Sequence, residues 1–267
     1  MARGWCVMTE VEGLLQDASG KAVTPSDAFI RLRKTGYPVV PNSRCTLREI
    51  AGTLKSLGLD GPAICEHGAV LHTGEDERAV CLSPGQDVAM IRRTLKDIRK
   101  RSGWRFRYME ELDDRRVAGL LECPRERVAG KRQRLGSEWL IWEDQPELLG
   151  AFQQVLAEQG LRLQEEHFGW VVLPELIRRH TAMEALCGDR EHRKVHILAL
   201  GNDEADLSML SAADIPVTIP ADSDSPPPML DHPNLIQAPA PGILGWSVVV
   251  ERWLELIAGQ AGESGSS

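Results

Sequence analysis

The chain has 267 residues, 42% of them hydrophobic and 26% charged, with a formal net charge of −8. That is room for one large globular domain or two modest ones, and the acidic balance argues against a nucleic-acid backbone as the main partner, since phosphate binding needs a concentrated basic surface. No apolar run reaches the ~18 residues of a membrane span, and the start lacks a basic-then-apolar signal segment. The six cysteines are scattered with no Cys-x-x-Cys pair, so neither a zinc site nor a disulfide framework is indicated, and a reducing cytoplasm is the expected setting.

In chain order, "WCVMT" reads as a buried strand that runs into an acid-x-acid-Gly sequence, Glu10-Val11-Glu12-Gly13. "SDAFIRLRKTG" is an amphipathic helix ending at a glycine, "YPVVPNS" a second strand, "TLREIAGTLKSLGL" a helix and "PAICEHGAVLH" a third strand with a turn. A charged helix over 86–102 opens a different block, with a polar stretch at 110–135, the strand "EWLIWE", the helix "QPELLGAFQQVLAEQG" and strands at "LRLQEE" and "FGWVVLP". The last third returns to alternation: helix "TAMEALCG", strand "VHILALG", helix "EADLSMLSAA", strand "IPVTIP", a Pro-rich loop and a final helix around "GWSVVVERWLELIAG". Strands separated by helices imply βαβ units and a parallel sheet. The expected fold is therefore α/β: a doubly wound, mainly parallel sheet in a core domain (1–82 and 173–258), with a smaller α+β cap inserted at 83–172. The tail, 259–267, is expected to be disordered.

This order resembles the haloacid dehalogenase superfamily, and within it the mannosyl-3-phosphoglycerate phosphatases. Besides the acid pair, "YPVVPNSRCTLREI", "PAICEHGAVLH", "RQRLGSEWLIW", "LALGNDEADLSML" and "APAPGILGW" are similar to the family's motif segments in the family's order. The resemblance implies a Mg²⁺-dependent phosphatase acting on a phosphorylated sugar or glycosyl-glycerate such as mannosyl-3-phosphoglycerate. A carboxylate attacks phosphorus, a second one two residues on and on the same side of the extended chain protonates the leaving oxygen, and a hydroxyl and a cation neutralise the phosphoryl oxygens. Carried over residue by residue, Glu10 falls at the nucleophile, Glu12 at the acid/base, Ser43 at the phosphate hydroxyl and Arg179 at the third-motif lysine. Glu10, Glu12, Asn202 and Asp206 would be the metal positions, with Ala205 where the family has asparagine.

Only Ser43 and Asp206 are of the family's usual type. Each glutamate moves its carboxylate ~1.5 Å from where aspartate would hold it, and a misplacement near 1 Å can cost ~10²-fold in rate. Asn202 removes a negative charge from a Mg²⁺ ligand position, and Arg179 is a planar fork rather than a compact ammonium. Together these substitutions predict weak metal binding and impaired turnover. The alternatives are a site re-spaced by longer acids and a longer cation, and a non-catalytic protein that keeps the cleft for a phosphorylated ligand or regulates a partner.

Arg132 and Arg134 are candidate substrate contacts, since guanidinium groups suit carboxylate and phosphate, with a solvated basic loop as the alternative. Arg44 follows Ser43 at the sheet's carboxyl edge, where ligands of doubly wound folds bind, and His67, where the resembled family has asparagine, is a candidate for the same crevice or else caps a turn. His192 and His196 have i, i+4 spacing, but His196 begins a strand, which disfavours a zinc pair. Trp139, Trp142 and Trp170 read as core rather than as a sugar platform.

Overall fold

The computed structural model describes residues 4–17, 19–74, 79–189, 191–192 and 194–264. The chain begins with β1 (Gly4–Glu10), α1 (Asp27–Lys34), β2 (Val39–Asn42), α2 (Leu47–Ser56), β3 (Ala63–Cys65), β4 (Val70–His72) and β5 (Ala79–Cys81). Next come α3 (Val88–Ser102), β6 (Phe106–Tyr108), α4 (Asp114–Leu120), α5 (Val128–Lys131), β7 (Glu138–Trp142), α6 (Leu149–Glu158), β8 (Leu161–Glu166) and β9 (Gly169–Pro174). It closes with α7 (Arg179–Cys187), β10 (Val195–Gly201), α8 (Leu207–Ala212), β11 (Ile215–Thr218), β12 (Ile236–Gln237) and α9 (Gly242–Ser264). The strands form a mainly parallel sheet in the order β12-β11-β10-β1-β2-β3-β4-β5 and a separate antiparallel sheet in the order β6-β7-β9-β8. The expected α/β class holds. Among the described residues no helix is long and apolar enough to cross a membrane, and none of the six cysteines is in a disulfide.

The chain divides into two compact units: residues 1–43, 50–63 and 183–267, and residues 44–49 and 64–182. In the first, β1 lies between β10 and β2, parallel to both. Cys6 to Val11 are all buried, which is why this strand reads as a continuous apolar run rather than an alternation. Ser26 caps α1 by accepting a hydrogen bond from Phe29 N at 3.3 Å, and Arg31, Arg33 and Lys34 fill its last turn, where cations suit the helix dipole. The final helix α9 packs on α1 and β1. Ser247 Oγ bonds Ser26 Oγ at 2.8 Å, Arg31 pairs with Glu251, and the Trp253 ring meets Trp5 edge-on at 5.3 Å. The fully buried Trp246 donates its indole N–H to Thr9 Oγ1 at 3.0 Å. The helical backbone of α9 runs on to Ser264, past the expected end at 258; residues 265–267 of the expected tail lie outside the described residues.

In the second unit, Ile91, Leu95 and Ile98 of α3 and Phe152 and Leu156 of α6 bury against Phe106, Leu140, Leu161 and Val172 of the antiparallel sheet. Asp87 caps α3 through Met90 N at 2.9 Å, and Gly103, at φ +72°, ends it in the left-handed conformation. Trp139 is buried and Trp142 and Trp170 pack against this core, so all three serve as packing residues.

This unit is larger than the expected insertion. Thr46 Oγ1 donates to Gly130 O at 2.9 Å and Lys131 Nζ to Glu49 Oε1 at 2.8 Å, which ties residues 44–49 to it. Glu66 binds the backbone of 135–136, which ties in the β3–β4 turn. Three strands, β5, β6 and β12, have no counterpart in the sequence reading. Each spans only two or three residues, too few for a periodicity to register.

Candidate functional site

The parallel register brings the carboxyl ends of β1, β2 and β10 level: Glu10 pairs with Asn42, and Thr9 with Leu200. Glu10, Ser43, Asn202 and Asp206 therefore gather at one edge of the sheet in the first unit, where ligands of doubly wound folds bind. Glu10, Ser43 and Asp206 are buried. Ala205 lies in the single helical turn Glu204–Asp206 that precedes α8.

Glu12 reaches this edge by a route the sequence did not indicate. The strand stops at Glu10, so the alternation expected to put both acids on one strand face does not apply. Instead the chain turns: Leu15 N and Gln16 N both donate to Val11 O, at 2.9 and 2.8 Å, and Gly13 N donates to Gln16 O at 2.9 Å. Gly13 takes φ +79°, and a Cβ there would lie 2.5 Å from Asn202 Nδ2. The half-buried Glu12 is held from two sides. Ser43 Oγ donates to its Oε1, and Asn202 Nδ2 donates to its backbone carbonyl at 3.0 Å. Glu12 Oε2 is buried with no hydrogen-bond partner among the described residues.

Asp206 is fixed by the backbone. Its Oδ2 accepts from Asn202 N at 2.8 Å and Asp203 N at 3.2 Å, while Asp203 Oδ1 accepts from Asp206 N at 3.2 Å, a reciprocal capping box. Gly201 makes room for it, since a Cβ there would fall 2.5 Å from Asp206 Cβ. Two residues the sequence reading passed over also sit here. Asn42 is buried with its Nδ2 on Met209 Sδ at 3.1 Å, and its Oδ1, like Thr218 Oγ1, is buried without a partner among the described residues. Their signal was a polar residue ending an apolar strand.

The second unit holds a separate polar cluster. Glu66 and His67 adopt φ +51° and +58°, rare for residues with a Cβ and a place where strain is stored. Gly68 follows at φ +95°, its missing Cβ only 2.4 Å from Arg178 O. The buried Glu66 carboxylate accepts from Leu135 N at 2.8 Å, Gly136 N at 3.1 Å and Ser137 Oγ at 2.6 Å, and Arg134 Nη1 donates to Ser137 Oγ at 2.7 Å. His67, also buried, has Nε2 2.9 Å from Glu166 Oε1 and Nδ1 3.1 Å from the Gln164 amide nitrogen. Arg44 stands 3.7 Å from Glu166. Burial works to raise the Glu166 carboxyl, but the His67 hydrogen bond and the charges of His67, Arg44 and Arg134 outweigh it and hold the group below its ordinary range.

Arg179 and Arg132 fall in the second unit as well. Arg179 is buried at the start of α7. Arg132 is committed locally, to Met109 O, Leu112 O and Asp114. Of the two histidines considered as a pair, His192 bonds Asp189 at 2.7 Å while His196 is in β10.

The sequence matches no protein-family model. The structure is similar to a phosphatase of the haloalkanoate enzyme superfamily from Bacteroides thetaiotaomicron, at 17% identity over 84% of this chain and 86% of that one, with a TM-score of 0.62. A haloacid dehalogenase-like hydrolase from the same organism matches at 12% identity over 94% and 99% of the two chains, TM-score 0.62. A trehalose-6-phosphate phosphatase related protein matches at 14% identity over 96% and 99%, TM-score 0.54. The fold is that of the haloacid dehalogenase-like hydrolases. At these identities the likeness establishes the fold and leaves the chemistry to the residues.

The Mg²⁺ that a haloacid dehalogenase-like phosphatase site implies does not fit the donors present. Mg²⁺ prefers carboxylate oxygens in near-ideal octahedral geometry. Here the β10 end contributes a neutral amide that points an N–H, not an oxygen, at the Glu12 carbonyl. Asp206 Oδ2 is occupied by two backbone N–H groups, and one Glu12 oxygen by the Ser43 hydroxyl. Among the described residues no three His, Cys, Asp or Glu side chains converge as a metal cluster would require.

Proposed function

We propose that this chain is a cytoplasmic protein of haloacid dehalogenase lineage that binds a phosphorylated sugar or glycosyl-glycerate, of the mannosyl-3-phosphoglycerate kind, and hydrolyses it slowly or not at all. The observation that carries this reading is the Asn202 Nδ2 bond to Glu12 O, which sets a hydrogen-bond donor where an efficient phosphatase needs a cation against the transferred group. The binding half of the proposal is supported by the chemistry of the second cluster. Arg44 and Arg134 offer the forked donors that recognise phosphate or carboxylate, beside the His67–Glu166 pair and the Gln164 amide suited to sugar hydroxyls.

A second reading, a slow metal-assisted phosphatase, is favoured by one observation. The Glu12 carboxylate is still hydrogen-bonded to the Ser43 hydroxyl, an acid and a phosphate-binding hydroxyl in mutual reach.

The two separate in one assay. Purified protein with Mg²⁺ is tested on p-nitrophenyl phosphate and mannosyl-3-phosphoglycerate, beside the triple variant Glu10→Asp/Glu12→Asp/Asn202→Asp. The proposal expects turnover only in the triple variant, and a calorimetric binding signal for the sugar phosphate with the wild type. Wild-type turnover that Glu10→Ala abolishes would overturn the non-hydrolytic reading. The absence of any binding signal would overturn the ligand.

A further inference from the structure

We infer that the Asn202 side chain takes the place of a divalent cation, so that the ends of β1 and β10 are joined by a hydrogen bond and this edge of the sheet stands without metal. The inference deepens the proposed loss of turnover, which rests on the same Asn202–Glu12 bond, and is independent of the proposed ligand.

The argument begins with two groups facing each other. The Glu12 carbonyl oxygen and the Asn202 side chain are 3.0 Å apart, and the amide nitrogen is the partner. An aspartate at 202 in the same orientation would set two oxygens at that separation. Two oxygens at such a distance repel unless a proton or a cation lies between them. The distance matches the edge of an octahedron with metal–oxygen bonds of ~2.0–2.1 Å, which is about 2.9 Å. The amide closes the same gap with its own N–H and needs nothing else.

The surroundings are fitted to the amide. Gly13, at φ +79°, leaves a space that a Cβ would fill to within 2.5 Å of Asn202 Nδ2. The backbone N–H of Asn202 is anchored on Asp206 Oδ2 at 2.8 Å, so both ends of residue 202 are fixed by neutral donors. Asp203 N shares that oxygen at 3.2 Å, and Asp203 Oδ1 returns a bond to Asp206 N at 3.2 Å. Two backbone N–H groups thus converge on one Asp206 oxygen, charge-assisted bonds that fix the carboxylate in place. What a cation would do in such a place, cross-linking the ends of β1 and β10, is done by one amide.

The test is thermal unfolding of the full chain with excess chelator and with excess Mg²⁺ or Mn²⁺, for wild type, Asn202→Ala and Asn202→Asp. The wild type is expected to melt at the same temperature in all three conditions. Asn202→Ala is expected to melt roughly 2–4 °C lower, with no recovery on adding cation. Asn202→Asp is expected to melt lower still in chelator and to regain stability as Mg²⁺ or Mn²⁺ is added, because a cation that binds only the folded state raises its apparent stability. Should Asn202→Asp fold only when cation is supplied, the same conclusion follows. Cation-dependent stabilisation of the wild type overturns the inference, as does an Asn202→Asp protein indifferent to both cations. Failure to bind a sugar phosphate would leave all of these melts unchanged, so the ligand proposal and this inference fail separately.

Discussion

The two polar clusters of this molecule are held by opposite means. At the β1–β10 edge the donors are neutral, an amide, a hydroxyl and backbone N–H groups facing the Glu12 and Asp206 carboxylates, set on turns whose awkward positions are glycines. In the second unit the groups are charged or strained. Glu66 and His67 carry side chains at positive φ, and their geometry is enforced by a network of carboxylate, imidazole and guanidinium groups. An edge held by neutral donors is expected to tolerate small changes, whereas the strained cluster exists only because its surroundings over-determine it.

The comparison can be broken first at two matched glycines. Gly68 and Gly13 both have positive φ, but a Cβ on Gly68 meets a backbone carbonyl at 2.4 Å, and one on Gly13 meets the end of a side chain at 2.5 Å. Backbone cannot move aside cheaply, so Gly68→Ala is expected to cost about 3 kcal/mol or more. Gly13→Ala is expected to cost about 1–2 kcal/mol, from backbone strain and the displaced Asn202 bond. Chemical denaturation of both variants measures the gap, and equal losses would erase the distinction.

A medium effect is expected from acid. Glu166 is held below its ordinary value against burial by His67 and nearby arginines, and Glu49 likewise, against its own burial, by Lys131 and Arg134. A carboxyl lowered in the folded state stabilises above its unfolded value, about 4.3, and that stabilisation is lost as pH falls through the lower folded value. The denaturation midpoint should therefore decline below about pH 4.3. In Glu166→Gln the decline should be shallower, and an unchanged pH profile would remove Glu166 from the account. The smallest change is expected from Ser43→Ala, which takes away one hydroxyl donor to Glu12 and should cost about 1 kcal/mol. A loss above about 3 kcal/mol there would mean the neutral edge is as brittle as the charged cluster.

Where one interaction determined the local structure, the sequence was legible. The buried run of β1 and the "VHILALG" run of β10 fixed the central strands, and the order of strands and helices carried the fold. That Glu10, Ser43, Asn202 and Asp206 lie at one end of the sheet was legible for the same reason, because a parallel sheet collects the residues that follow its strands. Illegible features depended on distant partners. Glu12 was read from strand alternation, yet its place is set by the Val11 turn and by Asn202, 190 positions away in the chain. Nothing local announces that Glu66 and His67 sit at positive φ, since the donors that hold them come from residues 135–137 and from β8. Arg132 looked like a ligand contact because an arginine's availability depends on which carbonyls surround it.

The indole bond between Trp246 and Thr9 has a consequence for the order in which the protein is made. Its partners are 237 positions apart, and β1 also takes β10 as a neighbour. At a synthesis rate of ~5–20 residues per second, the first strand waits on the order of 10–50 s for the last helix. The unit built from residues 44–49 and 64–182 is nearly contiguous and is complete well before then. On the ribosome the inserted segment is therefore expected to fold first, while the apolar β1 remains without its late neighbours and in reach of chaperones until the C-terminal helix emerges.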